Sequence, residues 1–297
     1  MTTTPLGRGE TTANGIAFSY LHAGPEGGPL ALCLHGFPDS AWTWRYLLPD
    51  LAEAGFHAVA PFMRGYAPTA LAPDGRYSTG ALVADAVGLH EALGGDSDAV
   101  IIGHDWGAAA TYGSAAFAPD RFRRVVTGAV PPVLSFMQAM FSFRQLKRSW
   151  YIYFFQSPLA EGAVAADDLA FIDGLWADWS PGYGAAEDIA GVKDCLRQPE
   201  NLAAAISYYR AMFDPTQAGP EVAEHQAALM QPTPQPTLYF HGTDDGCLGA
   251  EAITASVLDH LGPGSEIVMV DGAGHFAHVE KPAIVNRRIV DWVTGGA

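Results

Sequence analysis

Between positions 100 and 110 the chain runs Val-Ile-Ile-Gly-His-Asp-Trp-Gly-Ala-Ala-Ala, and this stretch limits the possible folds more tightly than any other. A β-friendly apolar run ends at Gly103, and a small-residue, helix-prone run starts just beyond Asp105. Asp105 therefore occupies a strand-to-helix turn with a glycine two residues away on each side. So sharp a turn crowds its neighbours, and tiny residues permit it. One side chain is pushed up above the sheet edge at the N-terminus of a helix, where N–H groups and the helix dipole favour an anion.

The flanking sequence repeats the strand-then-helix pattern. Short apolar runs at Leu30–Leu34, His57–Phe62 and Arg124–Val130 read as strands. Helices are predicted after Ser40 (with Trp44, Leu47, Leu48 and Leu51 on one face) and from about Ser78 to Leu93. Asn14-Gly15 opens an early edge strand from Ile16 to Tyr20. Beyond Pro132 the texture changes. From Val133 to about Ala227 strand patterns disappear, and aromatics and methionines crowd helical stretches. Strand patterns return at Pro236–Phe240 and Glu266–Val270, with a helix near Ala250–Leu261 between them and an amphipathic helix at Pro282–Val293. The expected fold class is α/β: a mostly parallel sheet flanked by helices. Residues 1–132 and 228–297 form its core domain, and residues 133–227 form an inserted helical cap.

Charge and cysteine content narrow the function. With 32 acidic and 16 basic residues the net charge is −16, which repels phosphate backbones and anionic lipid, so neither nucleic acid nor membrane is an expected partner. No signal peptide or membrane-length apolar run is legible, and Cys33, Cys195 and Cys247 fit neither a disulfide framework nor a metal spacing. A cytoplasmic protein acting on a small molecule is expected, without metal or cofactor; a homodimer is left open.

A nucleophile on such a turn needs a base, an acid to orient it, and donors for a developing oxyanion. Asp245 lies three residues beyond Gly242 after an apolar strand, with Asp244 as its rival. His275 follows another strand inside Gly272-Ala273-Gly274; His278, close by, is expected to line the site or cap a helix. The Asp105 turn resembles the nucleophile elbow of the α/β-hydrolase family, with aspartate where most members carry serine. The family's order of nucleophile, acid and histidine then falls on Asp105, Asp245 and His275. His35-Gly36-Phe37-Pro38 matches the oxyanion loop, so the N–H groups of Phe37 and Trp106 should converge on the Asp105 carbonyl. The resemblance also implies a cis bond before Pro38.

Aspartate attacks saturated carbon directly and leaves an alkyl ester that activated water can hydrolyse. Two groups of the family use that logic, epoxide hydrolases and haloalkane or haloacetate dehalogenases. Trp150-Tyr151-Ile152-Tyr153-Phe154-Phe155-Gln156-Ser157-Pro158 and Ser207-Tyr208-Tyr209-Arg210 resemble the cap segments of soluble-type epoxide hydrolases. They imply Tyr151 and Tyr209 as proton donors to the epoxide oxygen, with Tyr153 and Tyr208 as competing assignments. His35, Pro38, His104, Phe154, Trp176, Trp179 and Phe276 are expected to contact substrate. The resemblance spans residues 14 to 294 and implies conversion of an apolar or aromatic epoxide to a vicinal diol. Trp176 and Trp179 keep a dehalogenase in view as the alternative, and a non-catalytic ligand-binding homologue is the second.

Overall fold

The computed structural model describes residues 5–295; positions 1–4 and 296–297, the outermost parts of the expected core domain, lie outside it. Eight strands form one sheet in the order β1-β2-β4-β3-β5-β6-β7-β8. They are β1 Gly7–Ala13, β2 Ile16–Ala23, β3 Leu30–Leu34, β4 His57–Pro61, β5 Val100–His104, β6 Arg124–Gly128, β7 Thr237–Gly242 and β8 Glu266–Val270. β1 pairs antiparallel with β2, and β2 with β4; the remaining pairs are parallel. Every residue of β3, β4, β5 and β7 is buried, as parallel strands covered on both faces require.

On the sheet pack α1 Leu47–Glu53, α2 Thr79–Ala92, α3 Trp106–Phe117 and, near the C-terminus, α11 Ala277–Glu280 and α12 Pro282–Thr294, the last burying Val285, Ile289 and Val293. Between β6 and β7 the described chain contains no strand. It runs through α4 Val133–Ala139, α5 Phe143–Arg148, α6 Trp150–Phe154, α7 Ala160–Trp179, α8 Ala186–Leu196, α9 Pro199–Ala211 and α10 Ala223–Ala228. α7 breaks at residues 166–169, where Asp167, Asp168 and Leu169 turn left-handed.

The structure departs from the sequence expectations in four places. β2 is not the edge strand: Asn14 and Gly15 turn a hairpin whose first arm, β1, alternates half-buried and exposed residues and so carries little apolar signal. The helix after Ser40 is two pieces, a 3₁₀ turn over Ala41–Trp44 capped by the Ser40 hydroxyl, then α1. The predicted helix at Ala250–Leu261 is a pair of 3₁₀ turns, Ala250–Ala252 and Ala255–His260. β6 stops at Gly128 because Ala129 turns to φ 63°, and the Val130 carbonyl accepts from the Tyr112 hydroxyl rather than from a neighbouring strand.

Candidate active site

The turn between β5 and α3 has the strain its sequence implies. Asp105 sits at φ 54°, ψ −118° as the residue capping α3, a left-handed backbone that a non-glycine side chain adopts only when its surroundings enforce it. Close packing enforces it: a Cβ on Gly107 would lie 2.1 Å from the Leu34 carbonyl oxygen, and one on Gly103 would lie 2.2 Å from that of Gly107. The main-chain carbonyl of Asp105 accepts from the N–H groups of Ala108 and Ala109 at 3.0 and 3.2 Å. The carboxylate is left to face the cavity.

Its two oxygens have different neighbours. Phe37 N–H donates to Oδ1 at 2.8 Å, delivered by a loop whose Phe37–Pro38 bond is cis. Gly36 lets that loop approach, since a Cβ there would lie 2.2 Å from Oδ1. Oδ2 faces His275, whose Nε2 is 3.7 Å away and has no hydrogen-bond partner. Among the described residues no hydrogen bond joins Trp106 N–H to the carboxylate, so of the two expected donors only Phe37 is in contact.

His275 is fully buried. Its Nδ1–H donates to Asp245 Oδ2 at 3.0 Å, and its own N–H donates to the Trp179 carbonyl. Asp245 Oδ1 accepts from the N–H groups of Cys247 and Leu248 at 2.7 and 2.9 Å. Burial alone would push the imidazole down, but the Asp245 and Asp105 carboxylates hold it well above the usual histidine value. Burial likewise opposes ionisation of Asp245, yet His275, His241 and the Leu248 N–H keep it below the ordinary carboxylate range. Asp244 is exposed.

Above Asp105 lies a cavity of about 470 Å³, within the roughly 300–1,000 Å³ of small-molecule sites. Asp105, Trp106, Tyr151, Tyr209 and Cys247 line it, together with Phe136, Met137, Ile152, Met212 and Phe213 from the helical segment. The rings of Tyr151 and Tyr209 stand 5.5 Å apart. Burial, reinforced by the Asp105 charge, pushes both phenols well above their usual value, so both remain protonated donors. The Tyr209 hydroxyl has no partner. Their rivals face elsewhere: Tyr208 donates to the Arg64 carbonyl at 2.8 Å, and Tyr153 is half exposed beside Phe213.

A family model described as the alpha/beta hydrolase fold matches residues 29–282. The chain belongs to that family. Epoxide hydrolase A of Mycobacterium tuberculosis (strain ATCC 25618 / H37Rv) is 30% identical over 322 residues, covering 95% of each chain. AB hydrolase superfamily protein YfhM of Bacillus subtilis (strain 168) is 29% identical over 285 residues, 94% of this chain and 95% of its own. Among solved structures, Epoxide Hydrolase A from Mycobacterium thermoresistibile superposes with a TM-score of 0.81 at 26% identity, covering 98% and 99% of the two chains. This α/β hydrolase is an enzyme of the hydrolase class.

The residues expected to contact substrate in this α/β hydrolase make the following contacts. None of His35, Pro38, His104, Phe154, Trp176, Trp179 and Phe276 is among the residues that line the cavity. His35 accepts from Met63 N–H and donates to the Gly36 carbonyl, bracing the Phe37 loop. The Pro38 carbonyl accepts from the Trp176 indole, which stacks on Phe276 with ring centres 3.5 Å apart. His104 donates to the His275 carbonyl at 2.9 Å. Phe154 stacks on Phe171, and Trp179 packs edge-on against His275. His278 does not line the site either; it is buried against His104 and bonded to Thr43. Of these residues only His104 lies in a strand; Phe154, Trp176, Trp179 and His278 are on helices, whose packing sequence spacing alone does not report.

Two neighbours of the α/β-hydrolase site escaped the sequence reading. Cys247 sits on the Asp245 loop, and its place two residues past the acid was the available signal. Gln145 ties α5 to that loop, donating to the Cys247 carbonyl at 2.8 Å and accepting from Gly249 N–H at 3.1 Å. No sequence spacing announces that contact.

Proposed function

We propose that this hydrolase opens apolar epoxides to vicinal diols through a covalent ester on Asp105. One observation carries the reading: two protonated tyrosine hydroxyls share a mostly apolar-walled cavity with an aspartate carboxylate that has one oxygen held and the other free. An epoxide oxygen leaves as an alkoxide and needs acidic O–H donors, which Tyr151 and Tyr209 supply. The relatives named epoxide hydrolases support the same choice over a dehalogenase.

In the first step Oδ2 bonds to an epoxide carbon, the ring C–O pair moves to oxygen, and that oxygen takes a tyrosine proton. Ester formation removes the Asp105 charge that favours the protonated imidazole, so His275 gives up its proton to solvent. In the second step water gives a proton to the neutral Nε2 and adds to the ester carbon, while Asp245 steadies the imidazolium. The Phe37 N–H then faces the oxyanion on Oδ1, with Trp106 N–H, at the first turn of α3, as the second donor. Collapse expels the diol oxygen, which takes the proton from His275; the regenerated carboxyl returns its proton to the phenolate. Residues 133–227 act as the cap, carrying both tyrosines over a core of residues 1–132 and 228–297.

Purified protein given styrene oxide should yield phenylethanediol and release no halide from a bromoalkane. In heavy-oxygen water a single turnover should give unlabelled diol, with label entering only in later cycles. Halide release without diol formation, or label in the first product, overturns the proposal.

A further inference from the structure

The cavity holds a thiol that this mechanism leaves unused. Cys247 is buried on the loop after β7 and lines the cavity beside Asp105. Its Sγ lies 3.3 Å from the Tyr151 hydroxyl oxygen, a contact that crosses from the sheet side of the molecule to α6. Tyr209, the other cavity tyrosine, has a hydroxyl without a partner. The two phenols are therefore not equivalent: only Tyr151 contacts the loop after β7 through its hydroxyl.

We infer that Cys247 is a positioning residue for ring opening, its thiol donating to the Tyr151 oxygen and steadying the phenolate left when Tyr151 protonates the epoxide. The inference rests on the epoxide reading of the site. A phenol has one proton and two lone pairs. With S–H as donor, the Tyr151 proton remains free to point at substrate; with the bond reversed, that proton would be turned toward sulfur. Burial pushes the Cys247 thiol up, outweighing the lowering effect of the adjacent His275, so it stays protonated and able to donate. During ring opening the Tyr151 O–H bond breaks, a new O–H bond forms on the epoxide oxygen, and the S–H bond stays intact. Charge grows on the phenol oxygen only as that transfer proceeds. A donor to a charged oxygen is stronger than one to a neutral oxygen, so the thiol assists the transition state more than substrate binding. Because S–H is a weak donor, its loss should slow ring opening roughly five- to tenfold.

Single-turnover kinetics with enzyme in excess over styrene oxide separate formation of the alkyl-enzyme from its hydrolysis. Rates normalised to burst amplitude exclude any misfolded fraction, and C247V, close in size but without a donor, stands beside C247A. Both variants should slow ester formation with hydrolysis unchanged, C247S should restore it, and C247A should add nothing in a Y151F background. Equal slowing of both steps, an unchanged formation rate, or a full extra loss in Y151F overturns the thiol's role. Wild-type protein that forms no diol overturns the epoxide reading, and this inference with it.

Discussion

Asp105 carries two oxygens that the fold makes unequal. Oδ1 is held by Phe37 N–H and Oδ2 faces an unpartnered imidazole nitrogen, so in the proposed reaction attack and later charge development fall on different atoms of one carboxylate. On that proposal, His275→Gln removes the base for the second step but leaves the first intact. The hydrolytic step should slow by about 10³-fold, and a mass increase equal to the epoxide should persist on the Asp105 peptide after incubation with styrene oxide; an unmodified peptide counts against the ester. At this scale the sequence was informative about the turn and uninformative about orientation. Tyr208 and Tyr209 are adjacent, and neighbours on a helix point about 100° apart, so only one could enter the cavity. The packing of α9 against the loop after β4 sends Tyr208 to the Arg64 carbonyl and Tyr209 to the site. Asp244 and Asp245 posed the same question, and the answer came from the N–H groups of Cys247 and Leu248, which close around Asp245.

Among the elements, the buried strands were the most legible, because continuous apolar runs between turn residues leave few other readings. β1 was the least legible, since an exposed edge strand needs no apolar pattern. The long loop after β4 is held by a contact no motif announces: Arg64 and Asp85 of α2 form a buried two-pronged pair, with Nε 2.5 Å from Oδ2 and Nη2 2.7 Å from Oδ1. Arg64 also donates to the Arg76 carbonyl. Removing Asp85 leaves the buried Arg64 with only the half-exposed Asp74 carboxylate 3.5 Å away, so Asp85→Ala should cost about 3 kcal/mol, measured as a lowered midpoint in urea denaturation. A loss below about 1 kcal/mol would mean that solvent reaches Arg64 easily.

For the molecule as a whole, the buried His275–Asp245 pair ties stability to pH. His275 is raised in the folded state, so its contribution is complete below the ordinary histidine value near 6.5 and fades as pH climbs through the raised value. Asp245 is lowered, so its contribution is complete above about 3.9 and fades as pH falls through the lowered value. The stability difference between wild type and His275→Gln, read from denaturation curves, should therefore be largest between about pH 4 and 6.5 and shrink on both sides; a difference flat from pH 4 to 9 contradicts the linkage.

What the sequence determined by itself was local and steric. Small residues around a carboxylate, placed between an apolar strand and a helix, leave a sharp turn. Strand–helix alternation implied the sheet, and the resemblance of the turn and its companion motifs to the α/β-hydrolase family implied the order in which the acid and histidine follow. What only the tertiary structure decided was which side chains share the cavity. That depends on how the helices between β6 and β7 settle over the sheet through contacts such as Gln145 to the Cys247 carbonyl, 102 positions apart. Periodicity reports which face of a helix is apolar, but a cavity wall and a packed core are both apolar, so it could not tell Trp176 and Trp179, which are not among the cavity-lining residues, from Tyr151 and Ile152, which are.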